Sequence, residues 1–432
     1  MNKSLILSGV LISGIGSAIV LAPRSSTAQT NEAVNSQQEF TAVFNDQSDA
    51  AALNQAGHAF DNQHSRLYWF TDLEAAKRQA KAEGKPIVSL RLLGKLSDEY
   101  SCANSRFFRV LLYPNRQINP LLRDKFVLHW SSERAVPVLT IDFGDGRKIK
   151  QTITGNSAHY LLDETGRPLD VLPGLYSPAA FESWLKNGLE LTSNWKNEPK
   201  ETRPDLLRAW HVARISAIWG ETKAVGDKAK WIKEQTERSL KFSPLVSTKS
   251  AEVSTVVPAS LAAARVFSKT AVEAPILDAT TLFATSPRVM AWSWSEINLG
   301  PIALDEETKA RIKAMNPRLE TGQTKTRTRS FVQSIRFVEN GTPVPPPVAP
   351  FDALLHKLET NIAADTASNK FEMEIPIHAL FAQGKEGDFE SLNRTIYDKL
   401  FLTPKSDPYL GLGSDGVFTG LNNGGIVEPK AN

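Results

Sequence analysis

The stretch from Lys85 to Ser105 constrains this chain more than any other. An apolar run, Pro86-Ile-Val-Ser-Leu-Arg-Leu-Leu93, passes through a polar loop into Ser101-Cys102-Ala-Asn-Ser105 and then into Arg106-Phe-Phe-Arg-Val-Leu-Leu112. The order predicts strand, loop and helix. The only cysteine of the 432 residues stands where that helix begins. Backbone N–H groups and the helix dipole stabilise a thiolate at such a position.

The elements around this junction can be read from their punctuation. Upstream, Thr71-Asp-Leu-Glu74 is a capping-box pattern, and Gly84 stops the helix that it opens. Downstream come a short helix, Ile118 to Asp124, and a second strand, Lys125 to Trp130. Gly144-Asp-Gly-Arg147 predicts a hairpin joining Val136–Phe143 to Lys148–Ile153, and Glu164-Thr-Gly-Arg167 predicts another joining His159–Asp163 to Pro168–Leu172. Ser177 and Pro178 then open a closing helix to Leu185.

Helix, strand, helix with cysteine, strand, hairpin and closing helix in this order resemble the thioredoxin superfamily, over about residues 56–190. The likeness is to its exported or maturation-type members, in which Gly-Lys-Pro, strand, Cys-x-x-Cys, helix, Phe-Val, strand recurs. Counting back from Lys125-Phe126-Val127 places that pair on Cys102 and Ser105. The resemblance implies an α/β thioredoxin-like domain and thiol chemistry at Cys102. Two departures limit it. Ser105 stands in place of the resolving cysteine, so a dithiol cycle is closed to this chain. The family's cis-proline position reads Asn156-Ser-Ala-His159, and Pro137 takes that role only if the first hairpin is the family's; the closing helix favours the second. Arg106 and Arg109 would support a thiolate, and Asp98 and Glu99 would oppose it. His159 is a candidate base for the thiol or an ordinary hydrogen-bonded histidine. The 131–156 insert either covers the cysteine or packs on the second, helical domain.

Met1-Asn-Lys3, the apolar or small Leu5–Ala22 and the small residues Ser26-Thr27-Ala28 predict a signal peptide, residues 1–28, and a periplasmic or secreted protein. Left uncleaved, the segment would anchor the chain in a membrane. Cleaved, it leaves nothing that stays inserted. Residues 29–55 read as a flexible tether. With one cysteine, no disulfide can form within the chain. A net charge of only +3 gives no electrostatic case for nucleic acid.

Beyond about residue 200 the pattern turns helical. An amphipathic helix is expected over Asp205–Trp219, and others at 223–242, 258–270, 306–314 and 329–339, giving a helical domain over 200–339. A proline-rich linker, 340–350, leads to a helical segment, 351–432, with helices at 351–367, 376–383 and 389–401 and a loop-like tail. Trp292 and Trp294 alternate as on a strand, forming either a stacking platform or an interface core. His356, Glu359 and Asp365 are weak metal-ligand candidates, with Glu372, Glu374 and His378 downstream. Pro376 is expected to keep Glu374 and His378 off a common helix face. Phosphate-loop, GxSxG, HExxH and haem-attachment motifs are absent.

These observations predict an exported thioredoxin-like protein that handles thiols or disulfides of a cell-envelope or secreted partner through Cys102, as a monothiol oxidoreductase or isomerase, without a cofactor. The alternatives are a redox-inactive binding scaffold on the same fold and a metal-dependent enzyme of the helical domain.

Overall fold

The computed structural model describes residues 35–152, 156–220, 303–317 and 350–410, with isolated residues between 420 and 427. The expected signal peptide, the helices at 223–242, 258–270 and 329–339, the Trp292/Trp294 pair and the linker at 340–349 lie outside the described residues.

Two short helices, α1 (Gln37–Val43) and α2 (Ala50–Ala56), occupy part of the stretch expected to be a tether. Side chains of Ser36 and Asp49 cap them, and Phe40 and Leu53, each 1% exposed, fasten them to the core. A single turn, α3 (Asn62–Ser65), leads to α4 (Leu73–Glu83). Asp72, one residue past the predicted Thr71, caps α4 by accepting from the Ala75 N–H, and Gly84 ends it at φ +65°.

Strand β1 (Ile87–Leu93) is buried at every residue, as an apolar run covered on both faces must be. It is followed by α5 (Ala103–Phe107), which runs on into a π-helical turn, Phe108–Leu112, and then by α6 (Ile118–Lys125) and β2 (Val127–Arg134). The hairpin strands are β3 (Val138–Asp142), β4 (Lys148–Thr152), β5 (Ser157–Leu162) and β6 (Pro168–Pro173). A long helix, α7 (Pro178–Asn197), is capped by Ser177. The remaining helices among the described residues are α8 (Arg203–Gly220), α9 (Glu306–Met315), α10 (Pro350–Ser368), α11 (Ile375–Ala382) and α12 (Phe389–Thr395). A π-helical turn, Asn369–Glu374, joins α10 to α11, and another, Ile396–Leu400, prolongs α12.

One mixed sheet organises the region, in the order β2-β1-β5-β6. β1 runs parallel to β2 and antiparallel to β5, and β5 pairs antiparallel with β6. The β3–β4 hairpin stands outside this sheet as a two-stranded ribbon. Alternation along β5 divides the two faces. His159 and Leu161 face α7: the His159 ring lies 4.9 Å from Phe181, and Gly188 passes so close to Leu161 that an added Cβ would sit 3.0 Å from it. Tyr160 points the other way, where its hydroxyl donates to Asn393 of α12 at 2.8 Å.

The stretches expected as helical domain and helical C-terminal segment, 200–339 and 351–432, thus supply helices that lie against the sheet. α8 and α11 pack on each other and reach the β6 edge, while α12 lies on the Tyr160 face. Asn156 donates to Thr403 at 3.2 Å, and Arg134 donates to the carbonyls of Asp407 and Pro408 at 2.6 and 2.8 Å.

At the exit of β6, Gly174 adopts φ +85° and donates its N–H to Ser157 at 2.7 Å. An added Cβ would stand 2.4 Å from the Asn369 amide nitrogen, which itself donates to the Leu175 carbonyl. Gly174→Ala is expected to destabilise the protein by about 2 kcal/mol or more, from the left-handed backbone and the overlap together. The midpoint of urea unfolding checks this, and an unchanged midpoint would show that the turn yields.

Candidate functional site

Cys102 is the N-cap of α5, as the strand–loop–helix pattern predicts, but its side chain is completely buried. Burial pushes the thiol up, and this outweighs the opposing hydrogen bonds from Ser105 and Leu93 and the charge of Arg106. Ser105 is also buried; its hydroxyl donates to the Cys102 carbonyl at 2.7 Å and lies 2.6 Å from Ser101 Oγ. The insert supplies part of the cover. Thr152 donates to the Ser101 carbonyl at 3.1 Å and accepts from Arg106 at 3.1 Å. Tyr397, beyond α12, lies within electrostatic reach of the thiol.

Arg109, read as support for a thiolate, is itself buried and engaged elsewhere. It donates to the carbonyls of Leu96, Asp98 and Glu99 at 2.9, 2.7 and 3.2 Å, holding the loop before α5. His159 is a core histidine. Its Nε2 pairs with the Tyr113 hydroxyl at 2.9 Å, its ring is walled by Phe108, Phe181 and Trp184, and burial pushes its pKa down to about 3.

The weak metal candidates do not converge. His356 is exposed on α10, and Glu359 on the same helix accepts from the Leu304 N–H at 2.9 Å. Asp365 is not part of any metal-competent group among the described residues.

Such a group does exist elsewhere. Among the described residues, Asp170, His211 and His378 bring ligand-capable atoms within 4.8 Å of one another, and all three are buried. Asp170 comes from β6, His211 from α8 and His378 from α11. A bulge creates the meeting place. Leu161 pairs with Asp170, but Leu162 pairs with Pro168, so Leu169 is the extra residue on the edge strand. Its carbonyl lies 2.9 Å from His211 Nε2. A carbonyl only accepts, so His211 Nε2 carries the proton and Nδ1 presents a lone pair.

That lone pair faces His378 Nδ1 at 2.8 Å. Asp170 Oδ1 lies 3.7 Å from the same His378 nitrogen, and its Oδ2 accepts from the Trp184 indole N–H at 3.0 Å. On the far side of the ring, His378 Nε2 has no hydrogen-bond partner and stands 3.6 Å from Glu374 Oε2. The Tyr176 hydroxyl lies beside the Glu374 carboxylate. Burial raises the Asp170 carboxyl, and burial with the neighbouring His378 pushes His211 well below the usual histidine range.

The expectation that Pro376 separates Glu374 from His378 is corrected here. The proline occupies the opening turn of α11, directly after a π-helical turn, so the helix passes through it and the two residues meet as an i,i+4 pair. Asp170 and His211 were not singled out in the sequence, although both leave a trace. Asp170 is the one acid in Pro-Leu-Asp-Val-Leu-Pro, an otherwise apolar strand, and His211 lies on the buried stripe with Leu207 and Ile218. No protein-family model and no curated protein matches this chain.

Proposed function

We propose that this chain is an exported protein on a thioredoxin-like core that serves as a redox-inactive scaffold for a cell-envelope or secreted protein partner. The observation that carries this reading is the complete burial of Cys102, with its thiol pushed up. A nucleophilic cysteine needs access and a depressed pKa. The thioredoxin-like part is supported by the strand order β2-β1-β5-β6, the parallel β1–β2 pair, the antiparallel hairpin joined to β1, and a helix opening at the cysteine. No described helix is long and apolar enough to cross a membrane, and the export reading rests on residues 1–28.

Alkylation of Cys102 by iodoacetamide is the test, with Cys102→Ser as blank. Across about pH 6 to 9 the native protein is expected to stay unlabelled, with stoichiometric labelling only in denaturant. Rapid native labelling that levels off with an apparent pKa below the free-thiol value of about 8.5 would overturn the scaffold and return the chain to monothiol chemistry.

A further inference from the structure

The geometry points to a structural site for one divalent first-row transition ion, Zn2+ in the first instance, held by His211 Nδ1, His378 Nδ1 and Asp170 Oδ1. Two imidazoles and a carboxylate form a nitrogen and oxygen ligand set that suits such ions. In a tetrahedral site with metal–ligand bonds of about 2.0–2.1 Å, ligand atoms stand about 3.3 Å apart. The separations here, 2.8 Å between the two nitrogens and 3.7 Å from nitrogen to carboxylate oxygen, lie on either side of that value.

The second observation lies behind the ligands. A metal-bound histidine donates its other N–H to a carbonyl or carboxylate, which fixes the tautomer and turns a lone pair toward the ion. His211 already has this arrangement through the bulged Leu169 carbonyl. His378 has Glu374 Oε2 3.6 Å behind its Nε2, and that nitrogen is buried without a hydrogen-bond partner. An ion on Nδ1 places the His378 proton on Nε2, facing Glu374. It relieves a buried ring nitrogen that is costly to leave unpaired in the interior, and turns its proton toward Glu374 Oε2. Asp170 is steadied by Trp184. The alternative occupant of the gap between the two Nδ1 atoms is a single proton on His378: in the neutral ring it leaves Nε2 as a lone pair turned toward a carboxylate, and in the imidazolium a second proton stands on Nε2.

Because all three ligands are buried and come from three elements, the ion's role is to pin α8 and α11 to the sheet edge. Any fourth ligand is a water that enters with the ion.

The experiment uses the full chain without a histidine tag, stripped with a chelator and titrated with Co2+ and then Zn2+. One equivalent of Co2+ is expected to produce visible d–d absorption, Zn2+ to abolish it, and each ion to raise the melting temperature. Asp170→Asn and His211→Gln should weaken binding by about tenfold or more, Trp184→Phe by about tenfold, and the exposed-site control His356→Ala not at all. X-ray absorption of the Zn2+ form of the natural sequence, which needs no variant to fold, should report two imidazoles. A protein that gives no absorption band and no melting shift overturns the site. So does one that titrates identically with and without Asp170, or whose zinc has one imidazole or none; these outcomes mean adventitious binding at surface histidines.

Discussion

Acid is expected to unfold this protein steeply, with about 2.7 kcal/mol of stability lost per pH unit below about pH 6 from two histidines alone. His129 and His159 are both pushed down to about 3 by burial. His129 also faces Arg91, which lowers it further, and Asp72, which raises it, while its Nδ1 pairs with Ser89 at 2.8 Å. Around His159, among the described residues, stand the Tyr113 hydroxyl and the rings of Phe108, Phe181 and Trp184. In the unfolded chain both titrate near 6.5. Between that value and about 3 the unfolded state binds protons that the native state refuses. The contribution is therefore complete above the unfolded pKa and drains away as the pH falls. Urea unfolding at a series of pH values in chelator measures the slope. Replacing both partners, His159→Phe with Tyr113→Phe, should reduce the slope by about 1.4 kcal/mol per pH unit, while Tyr113→Phe alone leaves it. A double variant with the parent's slope would show that His159 is protonated in the native state.

Removing the Arg91 guanidinium is expected to cost about 3–5 kcal/mol. Arg91 lies on β1 and donates to Glu133 of β2 at 3.1 Å, with the Glu133 side chain only 3% exposed. Its other branch pairs with Glu390, and its guanidinium lies 4.5 Å from the centre of the Phe389 ring. In Arg91→Met, Glu133 keeps Asn393, at 2.8 Å, and the exposed Lys405, at 3.4 Å, but loses its buried counter-charge. Arg91→Met with Glu133→Leu removes the stranded carboxylate and should recover most of the loss. Glu390→Gln, at a side chain 61% exposed, should cost under about 1 kcal/mol. A double variant no better than Arg91→Met alone would place the damage in lost packing over Phe389.

The parts of this fold that read clearly from sequence are those specified locally. The mostly apolar run of β1, the two Gly-containing hairpin turns and the Ser177-Pro178 helix start each carry their own signal, and each element forms. The helices at 37–43 and 50–56 carried little, because one buried residue apiece, Phe40 and Leu53, fastens them and no long apolar stripe exists. The candidate site was hidden for a different reason. Asp170, His211 and His378 are separated by 41 and 167 residues in sequence, and what joins them is a bulge at Leu169 and the π-helical turn before Pro376. Neither device has a periodicity to find. Cys102 was placed correctly at its helix start, but its burial is not legible there, because Thr152, 50 residues on, is what ties down the neighbouring Ser101 and Arg106.

The placement of α12 sets an order of events for a chain leaving the ribosome. Arg91 meets Glu390 across 299 residues, Tyr160 meets Asn393 across 233, and Asn156 meets Thr403 across 247. Closing such long loops is slow. The strands, their first helices and α7 are all synthesised while the Tyr160 face still waits for its cover. During that interval Glu133 and Tyr160 are wetted and the sheet can still be remodelled. Residues 389–403 therefore act as the latch on this face, and the core becomes a single structure only when they arrive.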